Sequence, residues 1–320
     1  MALTYIQKTV HPAPITLHES NGVAYFTFPL LEQTRMVRHA FSTRLGGASK
    51  GYFSTMNFSL TRGDNRDDVL ENYRKMARIL GTDVSKMVLS HQTHTTNIRL
   101  VTEADAGKGI WRERDYENID GLITNVPGLT LVTFFADCVP LYFVDPVHRA
   151  IGLSHSGWKG TVHRMGQKTI KAMGEAFGTK PEDLRVCIGP SICRDCYEVS
   201  EDVADAFKEE FGAEISQDDS TSCYSWNGKS ILMNKGNGKY QLDLWGANRR
   251  VLLDAGILPE HLAVTNRTSI RSSSLVRERS IASRCSRCSA SQVLVRRSAT
   301  ASPSIRAALA HSRIFRSTWL

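Results

Sequence analysis

Apolar residues along this chain recur in two rhythms: short β-branched or aromatic runs that predict strands, and spacings of three and four that predict helices. Residues 22–31 and 37–43 are of the first kind, and Gly46 and Gly47 follow as a turn, so two neighbouring strands are expected there. From 67 to 80 the rhythm changes. Val69, Met76, Ala77 and Leu80 lie near helical spacing, and Asp67 and Asp68 sit in the first turn, where the helix dipole favours negative charge, so a surface helix is predicted. The alternation Ile98-Arg99-Leu100-Val101 places the preceding His94 in or beside a strand. Residues 129–135 and 141–144 are continuous apolar runs, the pattern of strands buried on both faces, and they flank Ala136-Asp137-Cys138. A strand over 150–154 leads into His155, and helices are predicted over 161–177, 200–211 and 242–255. His94, Cys138 and His155 are therefore expected at strand ends. Strands and helices mix without a strict βαβ repeat, and neither a GxGxxG nor a Walker signature occurs. The fold expected is α/β, a mixed α+β layered sandwich and not a Rossmann fold.

With 320 residues and 41% apolar content, the chain can bury a sizeable core. No run approaches eighteen consecutive apolar residues, and the first residues lack the basic-then-apolar pattern of a secretory signal, so a cytoplasmic chain without membrane partners is expected. The net charge of +8 would suggest a polyanion partner were it spread over the chain. It is not. Residues 266–320 hold eleven Arg, no Lys and one Glu, leaving 29 basic and 31 acidic side chains in residues 1–265. That body has no general electrostatic reason to bind nucleic acid. The same boundary marks a change of composition, with fourteen Ser and no Gly beyond it. Residues 1–265 read as one catalytic domain and 266–320 as an atypical tail, out of frame or disordered, with RNA binding by a Ser/Arg tail as a minor alternative.

Seven cysteines without a secretory signal predict reduced thiols. Cys193-Arg-Asp-Cys196 and Cys285-Ser-Arg-Cys288 form two CxxC pairs, but their separation far exceeds that of a compact four-thiolate zinc module, and ordinary thiols are the preferred reading.

His94, Cys138 and His155 offer two imidazoles and a thiolate, donors that suit zinc or copper and leave a position for water or substrate. Spacing alone does not separate such a triple from structural residues. Context does. His91-Gln-Thr-His94, Phe135-Ala-Asp-Cys-Val-Pro-Leu141 and Gly152-Leu-Ser-His-Ser-Gly-Trp-Lys-Gly160 resemble the signature segments of the YfiH-like purine nucleoside phosphorylases, a family once classed as polyphenol oxidases. Supporting similarities include Phe41-Ser-Thr-Arg-Leu-Gly-Gly47, Asp120-Gly-Leu122, Cys196-Tyr-Glu-Val199 and Leu242-Asp-Leu-Trp-Gly-Ala-Asn248, and the likeness spans residues 35–265.

The resemblance implies a YfiH/CNF1-like layered fold and makes His94, Cys138 and His155 the ligands of zinc, with copper as the alternative ion. It makes Asp137 the leading acid or base, since a carboxylate beside a metal can take a proton from bound water or hold a sugar hydroxyl. Arg44 reads as a phosphate anchor, with a bidentate guanidinium and Gly46-Gly47 allowing backbone to approach an anion. Lys159, a further phosphate-binding candidate, stands where the family commonly has Arg, keeping charge but losing the planar fork, so weaker phosphate binding is expected there. Asn57, Gln92 and Trp158 are candidates for orienting ribose or base. The activity implied is phosphorolysis of adenosine, inosine and S-methyl-5'-thioadenosine, with adenosine deamination, so a small nucleoside and phosphate are the expected partners. A copper-dependent polyphenol oxidase and a metal-binding pseudoenzyme are the rivals. The HxE and PCxxC signature of cytidine-deaminase-type zinc enzymes does not occur.

Family members end with a Cys-Thr pair, a Phe-Phe-Ser-x-Arg segment and a Gly-Arg before a last apolar strand, and residues 266–320 contain none of these. Codon degeneracy nevertheless allows residues 269–278, read from the third base of each codon, to encode a segment ending Phe-Phe-Ser-Ala-Arg. A reading frame that slips between Thr265 and Ser269 is therefore expected, and with it the loss of a final strand and one wall of the pocket.

Overall fold

Alternation along the strands sends successive side chains to opposite faces, and the central strands of the two large sheets of this protein are covered on both. The computed structural model describes residues 14–212, 230–265 and 291–297. One six-stranded sheet comprises Thr16–Ser20 (β1), Val23–Thr27 (β2), Val37–Ser42 (β3), Met87–Leu89 (β4), Thr130–Phe135 (β7) and Ser291–Arg297 (β15), in the order β1-β2-β3-β15-β7-β4. The second comprises Ile98–Leu100 (β5), Gly121–Thr124 (β6), Val139–Asp145 (β8), Ala150–Ser156 (β9), Arg185–Ile188 (β10) and Leu262–Val264 (β14), in the order β14-β10-β8-β9-β6-β5. A small sheet joins Glu198–Ser200 (β11), Leu232–Gly236 (β12) and Lys239–Leu242 (β13).

The period of two sorts the core into three clusters. In β7, Leu131 enters the layer between the large sheets, where it meets Tyr142, Val144, Ile151 and Leu153, while Val132 points the other way. There it packs under Arg66–Leu80 (α2), which buries Val69, Tyr73, Met76, Ala77 and Leu80. In β8, Tyr142 and Val144 face the first sheet, and Leu141 and Phe143 face Met165–Phe177 (α4), Glu201–Phe211 (α5) and Leu244–Asp254 (α6). The result is a helix, sheet, sheet, helix sandwich. It matches the layered α/β expectation, and the continuous apolar runs at β7 and β8 are strands sealed on both sides.

Local differences from the sequence reading have identifiable causes. The run over 22–31 leaves the sheet after Thr27, because Pro29 lacks a ladder donor and opens the short helix Pro29–Glu32 (α1). The helix expected over 161–177 is two helices, Trp158–Val162 (α3) and α4, broken at Arg164, which takes a left-handed φ of 57°. Arg164 bonds Glu210 and reaches Asp254 at 3.4 Å, so the break is tied to α5 and α6. Cys138 and His155 do lie at strand ends, but His94 sits in the connection between β4 and β5. Within 266–320, the backbone of β15 runs antiparallel to β3 on one side and to β7 on the other. Cys285 and Cys288 lie outside the described residues.

Candidate active site and metal centre

His155 is the penultimate residue of β9, with its ring 5% exposed, and its Nδ1 hydrogen-bonds Asp120 Oδ1 at 2.8 Å. Donation from Nδ1 to the carboxylate leaves Nε2 to face the site, where loss of its proton exposes the lone pair that binds a metal. Cys138 lies in the turn between β7 and β8, half-buried, with its Sγ 3.8 Å from Nε2 of the exposed His94. The two imidazoles meet edge to face, with centroids 5.0 Å apart. All three donor atoms lie within 4.8 Å of one another, and among the described residues they form the one cluster of three or more His, Cys, Asp or Glu suited to an ion.

Gly157 makes this convergence possible. A Cβ there would fall 2.8 Å from Cys138 Sγ and 3.2 Å from His94 Cδ2. Its backbone, at φ −75° and ψ −173°, is open to any residue, so glycine serves space and not conformation.

The charges of the three groups are coupled. Burial pushes the Cys138 thiol up, but hydrogen bonds with His155 and His94 outweigh it and bring the thiol down to about 7. Burial disfavours charge on His155, yet Asp120 and Cys138 raise it to about 9. Asp120 would itself rise by burial, but His155 and the backbone N–H groups of Thr93 and Thr95 hold it at about 2. Two imidazoles and a thiol inclined to ionise suit a single zinc or copper ion with a position left for water or substrate.

The three residues line a cavity of about 1000 Å³ that also meets Arg44, Asn57, Gln92, Arg114 and Asp137. This lies at the upper end of the size of small-molecule sites, roughly 300–1,000 Å³. Two expected substrate contacts are already engaged. Gln92 pairs its amide with the backbone of Phe134, at 2.7 Å to the carbonyl and 2.8 Å from the N–H, extending the β4–β7 ladder by a side chain. Asn57 donates to Asp64 at 2.8 Å and accepts from the Ser59 N–H at 3.1 Å, shaping its own loop. Lys159 is exposed on α3, with Nζ 5.5 Å from the Trp158 ring centroid, and does not line the cavity. Gly46 and Gly47 admit the backbone of Gly22 and Thr55, whose carbonyl oxygens would lie 2.0 and 1.9 Å from added Cβ atoms.

Sequence reasoning assigned no role to Asp120 or Tyr197. Asp120 stood out only as part of the Asp120-Gly-Leu122 similarity, with no role attached. Burial, with the negative charges of Cys138 and Asp137, raises the Tyr197 phenol pKa, which places that side chain beside the site in a protonated form.

Residues 38–279 match the family described as multi-copper polyphenol oxidoreductase laccase. The chain is 35% identical over 239 residues to purine nucleoside phosphorylase YlmD of Bacillus subtilis, covering 73% of this chain and 80% of that protein. It is 32% identical over 220 residues to adenosine deaminase RL5 of an unknown prokaryotic organism, covering 68% and 79%. The crystal structure of YlmD from Geobacillus stearothermophilus superimposes with a TM-score of 0.73 at 30% identity, over 90% of this chain and 100% of that one. Single-site geometry, matched segment and shared fold agree, and the chain belongs to this laccase-like YfiH family.

Proposed function

We propose that the chain is a metal-dependent purine nucleoside phosphorylase acting on adenosine, inosine and S-methyl-5'-thioadenosine, with adenosine deaminase activity. The observation that carries this reading is the convergence of His94, Cys138 and His155 on a cavity that also holds Asp137 and Arg44. Zinc is the ion we assign, and when bound it supplies Lewis acidity and a water of lowered pKa. Asp137 holds a sugar hydroxyl or accepts a proton at its carboxylate. Arg44, whose Nη2 donates to the Ser54 carbonyl at 3.0 Å, presents its guanidinium to phosphate, and positioning that anion near the anomeric carbon replaces a costly encounter. Lys159 is not among the residues that line the cavity, and we assign phosphate binding to Arg44 alone.

The rival reading, a copper-dependent polyphenol oxidase, draws on the family description and on a donor set that also accepts copper. Incubating purified, metal-quantified protein with adenosine and inosine, with and without phosphate, separates the readings. Phosphate-dependent release of base supports the phosphorylase, phosphate-independent inosine formation the deaminase, and oxygen consumption with phenols and added copper the oxidase. A metal-loaded protein that turns over none of these is a binding protein.

We assign the chain to the cytoplasm, where its seven cysteines would remain reduced. Residues 1–265 are proposed as the catalytic unit, with the reading frame slipping between Thr265 and Ser269. A coding sequence unable to encode Phe-Phe-Ser-x-Arg in either shifted frame overturns that. Any re-framed chain must still supply a strand for the slot that β15 fills between β3 and β7.

A further inference from the structure

Between the two histidines lies a carboxylate that gathers more donors than strand pairing requires. Asp120 immediately precedes β6 and is 0% exposed. Its Oδ1 accepts from His155 Nδ1 at 2.8 Å and from the backbone N–H of His94 at 3.1 Å. Its Oδ2 accepts from the backbone N–H groups of Thr93 at 3.1 Å and Thr95 at 2.9 Å, and from Thr95 Oγ1 at 2.9 Å. Its main chain joins the same elements, with its carbonyl accepting the His155 N–H at 2.8 Å and its own N–H donated to Asn97 at 3.1 Å.

Successive backbone N–H groups that converge on one anion form a concave nest, a geometry that needs a residue near the left-handed region. His94, at φ 63°, is that residue. A non-glycine side chain in this conformation is disfavoured unless something compensates. The Asp120 carboxylate compensates by satisfying the N–H of His94 and of both its neighbours.

We infer that Asp120 is the positioning residue of the metal centre. One carboxylate fixes the tautomer and orientation of His155 and holds His94 in its left-handed turn, so it sets the separation of two ligands that lie 35 and 26 residues away from it. Asparagine cannot replace it, because its NH₂ would face N–H donors. This inference rests on reading His94, Cys138 and His155 as metal ligands.

The test is cobalt(II) binding to metal-free full-length protein, followed by the thiolate-to-cobalt charge-transfer and d–d bands and by competition with a chromogenic chelator. Asp120→Asn is expected to weaken cobalt binding by about 10- to 100-fold, the usual effect of removing a partner behind a metal ligand, and to shift the bands as the histidines lose their orientation. Thr95→Val removes one donor and keeps the carboxylate, and is expected to weaken binding by about two- to tenfold, the worth of one hydrogen bond. A role confined to folding would lower the melting temperature of the metal-free protein without moving the bands, and that result overturns the inference. So does an Asp120→Asn protein that binds cobalt within twofold of the parent. If Asp120→Asn does not fold, an unchanged constant and spectrum for Thr95→Val overturn it. A parent chain that takes up no cobalt overturns the metal reading as well.

Discussion

Replacing Gly157 by alanine probes the candidate metal centre with a single methyl group. The backbone at this position accepts alanine without strain, so the effect arises from the new Cβ, 2.8 Å from Cys138 Sγ and 3.2 Å from His94 Cδ2. The first distance lies inside any normal contact, and inserting a methyl into such a space costs about 1–3 kcal/mol if the neighbours cannot move. In the metal-free protein the half-buried Cys138 can rotate away. A bound ion forbids that rotation, so the penalty falls on the metal-bound state. At 1.4 kcal/mol per factor of ten, zinc binding should weaken by about 5- to 150-fold. The metal-free melting transition should change little, because losing a glycine also stabilises the fold through the unfolded chain by about 0.4–1 kcal/mol. Zinc competition against a chromogenic chelator, run beside thermal melts of the metal-free proteins, measures both quantities. A zinc dissociation constant within twofold of the parent would refute the reasoning, since the ion would then not depend on the approach of Cys138 to His94.

Three further outcomes are expected. His39 is buried with its Nε2 accepting the Phe28 N–H at 2.7 Å, and burial, aided by His18, lowers its pKa from 6.5 to about 3. Its stabilising contribution is complete above pH 6.5 and drains as pH falls toward 3, by roughly 2 kcal/mol between pH 7 and pH 5; urea titrations should record this slope, and His39→Gln should flatten it. Asn248 accepts from Ser156 Oγ at 2.8 Å and donates to Thr161 Oγ1 and the Leu244 carbonyl at 2.9 Å, so Asn248→Ala should lower unfolding stability by about 1–3 kcal/mol, and a melt unchanged from the parent would contradict that. Arg44→Ala should raise KM for phosphate by roughly ten- to a hundredfold, the loss of charge-assisted hydrogen bonds, while KM for inosine stays put; equal increases in both would remove Arg44 from the phosphate site.

What the sequence made legible follows from how local each signal is. Residues 129–135 and 141–144 read as buried strands because both faces are covered, which leaves no polar alternation to confuse the period. The start of α2 was legible in its acidic first turn, and Asn65 caps it by accepting from the N–H groups of Asp67 and Asp68. The hairpin of β12 and β13 turns at Asn237-Gly238, a dipeptide that is itself a strong local signal for such a turn. The metal ligands came from segment context, since their spacing carries little information. Segment context included Asp120-Gly-Leu122 but could not give Asp120 its role, because that role lies in donors that arrive from two distant segments. Gln92 and Asn57 illustrate the converse: their residue types suit a substrate, but their amide atoms are engaged by nearby backbone and Asp64. Composition likewise could not tell that part of the Ser/Arg-rich segment pairs as β15.

The position of β15 also bears on the order of events during synthesis. Its neighbours β3 and β7 are made long before it, yet the sheet closes only when the backbone of Ser291–Arg297 is inserted between them. Translation from Phe135 to Ser291 takes on the order of 8–30 s at about 5–20 residues per second. Throughout that interval the nascent chain carries two unsealed sheet edges, the kind of surface that chaperones cover and that pairs wrongly with other chains. Closure of this layer is therefore a late, long-range step, and the yield of folded protein from the ribosome is set by how well those edges are shielded until it occurs.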